Sequence, residues 1–275
     1  MKILHLTDAC SWSGGIEQLI LLSRGLMKRN VEIFIGCDKK SRLFLYANSG
    51  HKLPVVTFDF KREINFQTIR EIIHFAKKNN IDIIHAHHPK AHTLGLLSSL
   101  WLPGTIFIAS RRVVFKIRNN PFSYFKYHAS RIDNIVAVSE AVKKILLDTN
   151  IPAEKITVIH SVVDTERFNP DISGDRIRQE FKIEPGEILV GKIANYSLYK
   201  GHDIFLKSAQ LINKKNPKTK FMLVGEGTLN NDVLQKLACD LGIEKRLICT
   251  GYRTDVPEII AAFDVSVNAS RAEAL

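Results

Sequence analysis

The sequence predicts an α/β fold built as two open parallel sheets in tandem, each wrapped by helices. Three observations carry this reading. Short β-branched runs alternate with segments of helical periodicity, the pattern of a parallel sheet covered on both faces. The alternation is interrupted once, by a polar stretch at 164–186 containing Pro170, Gly174, Pro185 and Gly186, and then restarts. The clearest strand, carrying Ile81, Ile83 and Ile84, ends abruptly in His85, His87 and His88. Ligands of open α/β sheets bind just beyond the carboxyl ends of strands. This run therefore puts polar groups where such a fold places a site.

The elements follow in order. Lys2–Thr7 reads as the first strand. The glycine-containing turn at 11–17 leads into a helix over 17–28, with Leu19, Leu22 and Leu26 at helical spacing. Val31–Gly36 and Val55–Phe58 read as strands, and Phe66–Lys78 as an amphipathic helix that enters the histidine-ended strand. Pro89 breaks that strand and a helix over 90–101 follows. Thr105–Ala109, Asn134–Val138 and Thr157–Ile159 are further strands, the last two flanking a helix capped by Ser139. The domain reading is 1–163, a linker at 164–186, and a second domain at 187–275. In that second domain strands at 188–194, 220–224, 247–250 and 265–268 alternate with helices at 203–214, 231–241 and 256–263. The second sheet thus has four strands, and the sequence is expected to be a fragment whose second domain is truncated.

Length and composition bound the function. A chain of 275 residues suits one large domain or two ordinary ones. Lys and Arg number 39 against 28 Asp and Glu, a net charge of +11, which favours anionic partners such as nucleotide phosphates, a phospholipid surface or nucleic acid. Cys10, Cys37, Cys239 and Cys249 lie far apart, which fits free thiols in a reducing cytosol. No apolar run approaches the ~20 residues of a membrane span.

Several motifs occur together and in order. The second half contains Gly191-Lys-Ile-Ala-Asn-Tyr-Ser-Leu-Tyr-Lys-Gly-His-Asp203, then Leu223-Val-Gly-Glu-Gly227, Gly251-Tyr-Arg-Thr-Asp-Val-Pro257 and the strand Asp264–Ser270. The first half contains Gly14-Gly15-Ile-Glu17, His85-Ala-His87, Ala137-Val-Ser-Glu140 and Val158–Phe168. This ordered set resembles the retaining glycosyltransferases of family four, which have two Rossmann-like domains in the GT-B arrangement. The resemblance spans nearly the whole chain. It implies transfer of a hexose or heptose, with retention, from a nucleotide-sugar donor to a glycan or lipid-linked acceptor at the inner face of a bacterial membrane. It implies no cofactor and no required metal, and a cytoplasmic protein peripheral on that membrane.

Each candidate residue also has a physical reading. Gly14 and Gly15 let a phosphate approach the backbone at a helix start, although a Gly-Gly pair is also an ordinary tight turn. Lys200 precedes a helix N-terminus, a ready anion site; the resemblance gives it the donor diphosphate. Asn195 stands where the family often has arginine, so one phosphate contact there loses its charge. Gly225 and Glu226 lie at a strand end that borders the nucleotide in the family, and Arg253 follows a strand on the nucleobase or ribose side. His87 aligns with the family histidine that faces the donor sugar; a histidine at a strand end is also a structural hydrogen-bonder. Glu273 resembles the first glutamate of the family's Glu-x7-Glu pair, which borders the transferred sugar. The histidines at 85, 87, 88 and 92 raise metal binding, but no thiolate or carboxylate cluster joins them in sequence.

The stretch 111–131 interleaves Arg111, Arg112, Lys116, Arg118, Lys126 and Arg131 with five aromatics and no acid. Arg111, Arg112 and Lys116 are expected on the acceptor or membrane side, facing anionic lipid. A basic helix with an aromatic core face is the plainer alternative. Two other functions stay open: a nucleotide-sugar epimerase of the same architecture, and a basic nucleic-acid-binding module, which no helix-turn-helix or RNP-like motif supports.

Overall fold

A computed structural model describes the chain apart from Lys116, residues 118–120 and Leu275. The described residues form two compact units, Met1–Val162 with Ala274, and Val163–Glu273.

The first unit runs β1 (Lys2–Leu6), α1 (Gly14–Met27), β2 (Glu32–Cys37), α2 (Arg42–Tyr46), β3 (Val55–Thr57), α3 (Phe66–Asn79) and β4 (Ile83–Ala86). It continues α4 (Pro89–Ser99), β5 (Ile106–Arg111), α5 (Pro121–His128), β6 (Asn134–Ala137), α6 (Glu140–Leu147) and β7 (Ile156–Val158). The seven strands pair in parallel in the order β3-β2-β1-β4-β5-β6-β7. Side chains alternate faces along a strand, and β1 shows the result. Ile3 joins Ile33, Ile35, Leu19 and Ile20 under α1, while Leu4 and Leu6 join Ile72, Ile84, Leu94 and Phe107 under α3 and α4.

Three local differences from the sequence reading have physical causes. Helix α1 starts at Gly14, not Glu17, because Ser13 is extended and both glycines take the first turn, ahead of the first apolar position. Strand β4 starts at Ile83, because the Ile81 amide still closes α3 through the Ala76 carbonyl, behind Asn80 in the left-handed region at φ 52°. Helix α2 has only five residues, capped by Ser41 accepting from the Phe44 amide at 3.1 Å; it is too short to show a period.

The second unit runs α7 (Asp175–Glu180), β8 (Ile188–Ile193), α8 (His202–Lys215), β9 (Thr219–Val224), α9 (Asp232–Asp240), β10 (Leu247–Gly251), α10 (Val256–Ala262) and β11 (Val265–Ser266). Its four strands are parallel, in the order β10-β9-β8-β11. Phe205, Leu206, Phe221 and Leu223 fill one face, and Ile177, Leu189, Met222 and Ile259 the other. Helix α7 lies inside the polar stretch 164–186. Its Ile177 is fully buried, and Phe181 and Ile183 pack with it.

Strand order fixes where each unit can hold a ligand. The order of successive strands reverses at β1, which pairs with β2 and β4, and at β8, which pairs with β9 and β11. The crevice at such a switch point is the usual ligand site of an open sheet.

Candidate active site

At the first switch point, β1 and β4 deliver imidazoles side by side. His5 and His85 are paired in the ladder, and His87 follows at the end of β4. His5 Nδ1 lies 3.0 Å from His87 Nε2, His87 Nδ1 lies 3.4 Å from an Arg112 guanidinium nitrogen, and His85 Nε2 lies 2.8 Å from Ser110 Oγ. A guanidinium only donates, so His87 Nδ1 accepts. Its proton then sits on Nε2 and is donated to His5 Nδ1, which leaves the His5 proton on Nε2, a buried atom without a partner. Burial, reinforced by Arg112, pushes His5 down to about 3. Burial and the neighbouring charged groups push His85 and His87 well below the histidine range. All three rings are therefore neutral at pH 7.

His87, expected to face a sugar, is buried, with both ring nitrogens engaged inside the unit. His88 bonds Thr7 Oγ1 at 2.8 Å. A side chain on Gly15 would approach His88 Nε2 at 3.1 Å, whereas Gly14 has open space on its Cβ side. His5, His85 and His87 are the only group of histidine, cysteine or acidic residues with metal-ligand spacing among the described residues, their ligand atoms lying within 4.8 Å of one another. Sequence reasoning missed His5, which is remote in the chain; the parallel register β1–β4 is what joins it to the others. The Arg112 charge beside His87 opposes a cation there. A cavity of about 330 Å3 opens next to the cluster, lined by Ile3, Ile83, Ile108 and Val136 with His85 and Arg112 at its polar end.

The second switch point lies between β8 and β11. Lys200 ends a 3₁₀ turn, and Gly201 takes φ 62° to start α8; a Cβ there would meet the Ala269 carbonyl oxygen at 1.9 Å, so only glycine fits. The turn brings Lys200 Nζ to 2.7 Å from Glu273 Oε1. Partial burial works against the Glu273 charge, but Lys200, Ser270 and Asn268 outweigh it and hold the carboxyl below the usual range. Asn195 Oδ1 accepts the Glu226 amide at 3.0 Å, and the Tyr196 amide bonds the Glu226 carbonyl at 2.8 Å. These bonds lace the loops after β8 and β9 together. Gly225, at φ 145°, passes so close to Ala194 that a Cβ would lie 2.2 Å from its carbonyl oxygen.

Two expected site residues are placed elsewhere. Arg253, assigned to the nucleobase or ribose, is held by two carboxylates: Glu180 at 2.6 and 2.9 Å, and Asp255 at 2.7 and 2.9 Å. It ties α7 to the start of α10, with four of its five N–H groups committed to carboxylates. The sequence hid this because α7 was read as linker. Arg111, assigned to the acceptor or membrane side, is only 6% exposed. It donates to the Tyr127 hydroxyl at 2.8 Å and to the Phe115 carbonyl. Arg112 is half-buried against His87, and Lys116 lies outside the described residues. Lys126 is buried and bonds Glu63 at 3.2 Å, while Phe122, Tyr124 and Phe125 are exposed. Helix α5 thus turns Lys126 and Tyr127 inward and Phe122, Tyr124 and Phe125 outward, unlike a basic helix with an aromatic core face. No helix among the described residues is long and apolar enough to cross a membrane.

Two open α/β units each gather polar side chains at a switch point, the place where open sheets hold ligands. Residues 13–167 match the model of Glycosyltransferase Family 4, and residues 185–275 that of Glycosyl transferases group 1. The chain belongs to glycosyltransferase family 4 and is a glycosyltransferase of GT-B fold. It is 25% identical to an Escherichia coli UDP-Gal:alpha-D-GlcNAc-diphosphoundecaprenol alpha-1,3-galactosyltransferase, over 97% of this chain and 73% of the relative. It is also 25% identical to the Bacillus subtilis putative glycosyltransferase EpsD, over 83% of this chain and 65% of that protein's length. Among solved structures, Anabaena HepE in complex with UDP and glucose superposes with a TM-score of 0.83 at 21% identity, covering 98% of this chain and 74% of that one. A Rickettsia africae glycosyltransferase superposes with 0.81 at 19%, covering 98% and 73%.

Proposed function

We propose that the protein transfers a sugar, with retention, from a nucleoside diphosphate sugar to a glycan or lipid-linked acceptor in bacterial cell-surface glycan synthesis. The observation that carries this is the Lys200–Glu273 pair at the β8/β11 switch point, beside the N-terminus of α8. A cation and a helix N-terminus suit a departing diphosphate, and a carboxylate beside them suits the hydroxyls of the transferred sugar. The acceptor hydroxyl attacks the face from which the diphosphate leaves, and fixed positive groups stabilise the charge that develops.

In this reading residues 1–163 form the acceptor side and 187–275 the donor side. Gly14, Gly15, Lys200, Gly225 and Glu226 border the donor, and Asn195 shapes its loop. His87, buried with both nitrogens engaged, is a positioning residue on the acceptor side, its tautomer set by Arg112 and His5. Lys200 and the N-terminus of α8 meet the diphosphate, the family implies no required metal, and chelators are expected to leave transfer unchanged. The E. coli relative's named acceptor, a diphosphoundecaprenol-linked sugar, supports a lipid-linked acceptor. The exposed Phe122, Tyr124 and Phe125 support peripheral binding at the cytoplasmic membrane face.

The test is a thermal-shift panel of nucleoside diphosphates, since a ligand that binds only the folded state raises its stability. Product analysis by NMR with the nucleotide sugar of the stabilising base then follows. A new glycosidic bond with the donor's anomeric configuration supports the proposal. An epimerised sugar nucleotide, with no acceptor consumed, would replace it with the epimerase.

A further inference from the structure

We propose that Lys192 supplies a second positive charge to the diphosphate site, reaching it from the sheet beneath the N-terminus of α8. This rests on the reading of the β8/β11 switch point as the donor site.

Lys192 sits on β8, the central strand at that switch point, between Val190 and the loop carrying Asn195 and Lys200. Residues two apart on a strand share a face, so Lys192 points to the same side as Val190, which packs with Phe205 and Leu206 of α8. It is only 1% exposed, yet it has no hydrogen-bond or ion-pair partner among the described residues. Its amine is not among the fully enclosed polar atoms that lack a partner, so the buried stem delivers a charge that an anion in the crevice can reach. Lys200 and Glu273 lie close enough to act on its charge, as does the amine on His202, the first residue of α8. His202 is itself buried, with its Nδ1 lacking a partner.

Charge arithmetic gives the amine a role. Lys200 and Glu273 cancel, and Asn195 adds no charge, being committed to the Glu226 amide. The pair alone offers a diphosphate no net attraction beyond the helix N-terminus. With Lys192 protonated the trio carries a net +1. When phosphate oxygens draw Lys200 away, the Lys192 charge also stands behind Glu273 as its counter-ion. Burial first, then Lys200, lowers the proton affinity of Lys192, with Glu273 opposing. An arriving anion reverses that and favours the protonated amine.

The experiment is calorimetry on the full chain and on Lys192→Met, using UDP, GDP and ADP beside their nucleosides. Methionine keeps the unbranched stem and removes the amine. The expected result is that the diphosphate bound by wild type loses tenfold or more in affinity in K192M, while its nucleoside loses less than twofold. Equal diphosphate affinity in both proteins overturns the inference while leaving the donor site standing. No diphosphate binding by wild type removes the donor site and the inference with it. Should K192M fail to fold, Lys192→Gln, which keeps most of the stem and removes the charge, gives the same comparison.

Discussion

Lys200 Nζ lies 2.7 Å from Glu273 Oε1, and the two side chains come from loops that leave adjacent parallel strands on the two sides of the switch in strand order. Both are about a third exposed, at 36% and 35%. Exposed pairs of this kind are worth about 0–1 kcal/mol, so stability does not explain the arrangement. Each group instead holds the other in place until a ligand takes up one of them, a preorganisation that matters for charge developing in a reaction.

Removing Lys200 should therefore separate binding from stability. Lys200→Ala is expected to weaken nucleoside diphosphate binding by about 10–100-fold, or ~1.4–2.8 kcal/mol, and to leave nucleoside binding within about twofold. Its melting temperature should stay within a few degrees of wild type. Calorimetry with both ligands checks this. An equal loss for both would mean that Lys200 only shapes the loop ahead of Gly201.

The buried imidazoles make a second expectation, on pH. His5 and His92 are each pushed from 6.5 to about 3, by burial first, then by Arg112 for His5 and chiefly by Lys126 for His92. Below pH 6.5 the unfolded chain binds protons that the folded chain refuses. Stability is then full above about 6.5 and is lost as pH falls toward 3, at up to about 1.4 kcal/mol per pH unit for each ring. His92 packs on Phe107 and Tyr127, with ring centroids 5.8 and 5.1 Å away, and its Nε2 has no partner. His92→Phe should keep the packing and remove the titration. Melting curves from pH 4.5 to 7.5 are expected to be flatter for this variant; a slope parallel to wild type would show that His92 does not contribute.

Much of this architecture was legible in the residues, for reasons visible in the packing. The apolar run at 81–84, the leucines of α1 and the serine cap of α6 are local signals, and each marks an element that formed. Glu273 and Lys200 were identifiable one by one from their motifs, but their contact depends on the β8–β11 pairing, which no local pattern encodes. His5 was missed for the same reason. Helix α7 was hidden by its composition: two arginines, an aspartate, a glutamine and a glutamate surround one buried isoleucine. With α7 unseen, the carboxylates that occupy Arg253 were unseen as well. The inward turn of Arg111 and Lys126 was illegible because a basic residue gives no sequence sign of whether a carbonyl or a hydroxyl awaits it in the core.

That inward turn moves the proposed membrane contact of the first unit from Arg111 to the exposed aromatics of α5. Arg111→Met should cost roughly 2–3 kcal/mol of stability, through charge-assisted bonds lost to Tyr127 and the Phe115 carbonyl, with little effect on lipid binding at the surface. Replacing Phe122, Tyr124 and Phe125 together by Ser should do the opposite, because all three are exposed. Chemical denaturation and co-sedimentation with vesicles rich in anionic lipid separate the two effects. Vesicle binding that survives the triple substitution would remove α5 from the membrane surface.

The last expectation uses two glycines that the fold treats differently. Gly201 is required by geometry, since a Cβ at its φ of 62° would meet the Ala269 carbonyl at 1.9 Å. Gly14 is not: it takes the first helical position of α1, is exposed, and has nothing within 4 Å of where a Cβ would stand. A glycine that neither strain nor packing demands, at a helix start facing solvent, fits a place where a ligand approaches the backbone. Alanine suits a helix better than glycine by about 0.5–1 kcal/mol. Gly14→Ala is therefore expected to hold or raise the melting temperature while lowering kcat/KM for sugar transfer by tenfold or more. Gly201→Ala should lower both. If Gly14→Ala transfers sugar at the wild-type rate, the space before α1 is solvent and the donor does not reach this loop. The opposite signs of the two stability changes make the pair informative: a loss of activity in Gly14→Ala without a loss of stability cannot be ascribed to misfolding.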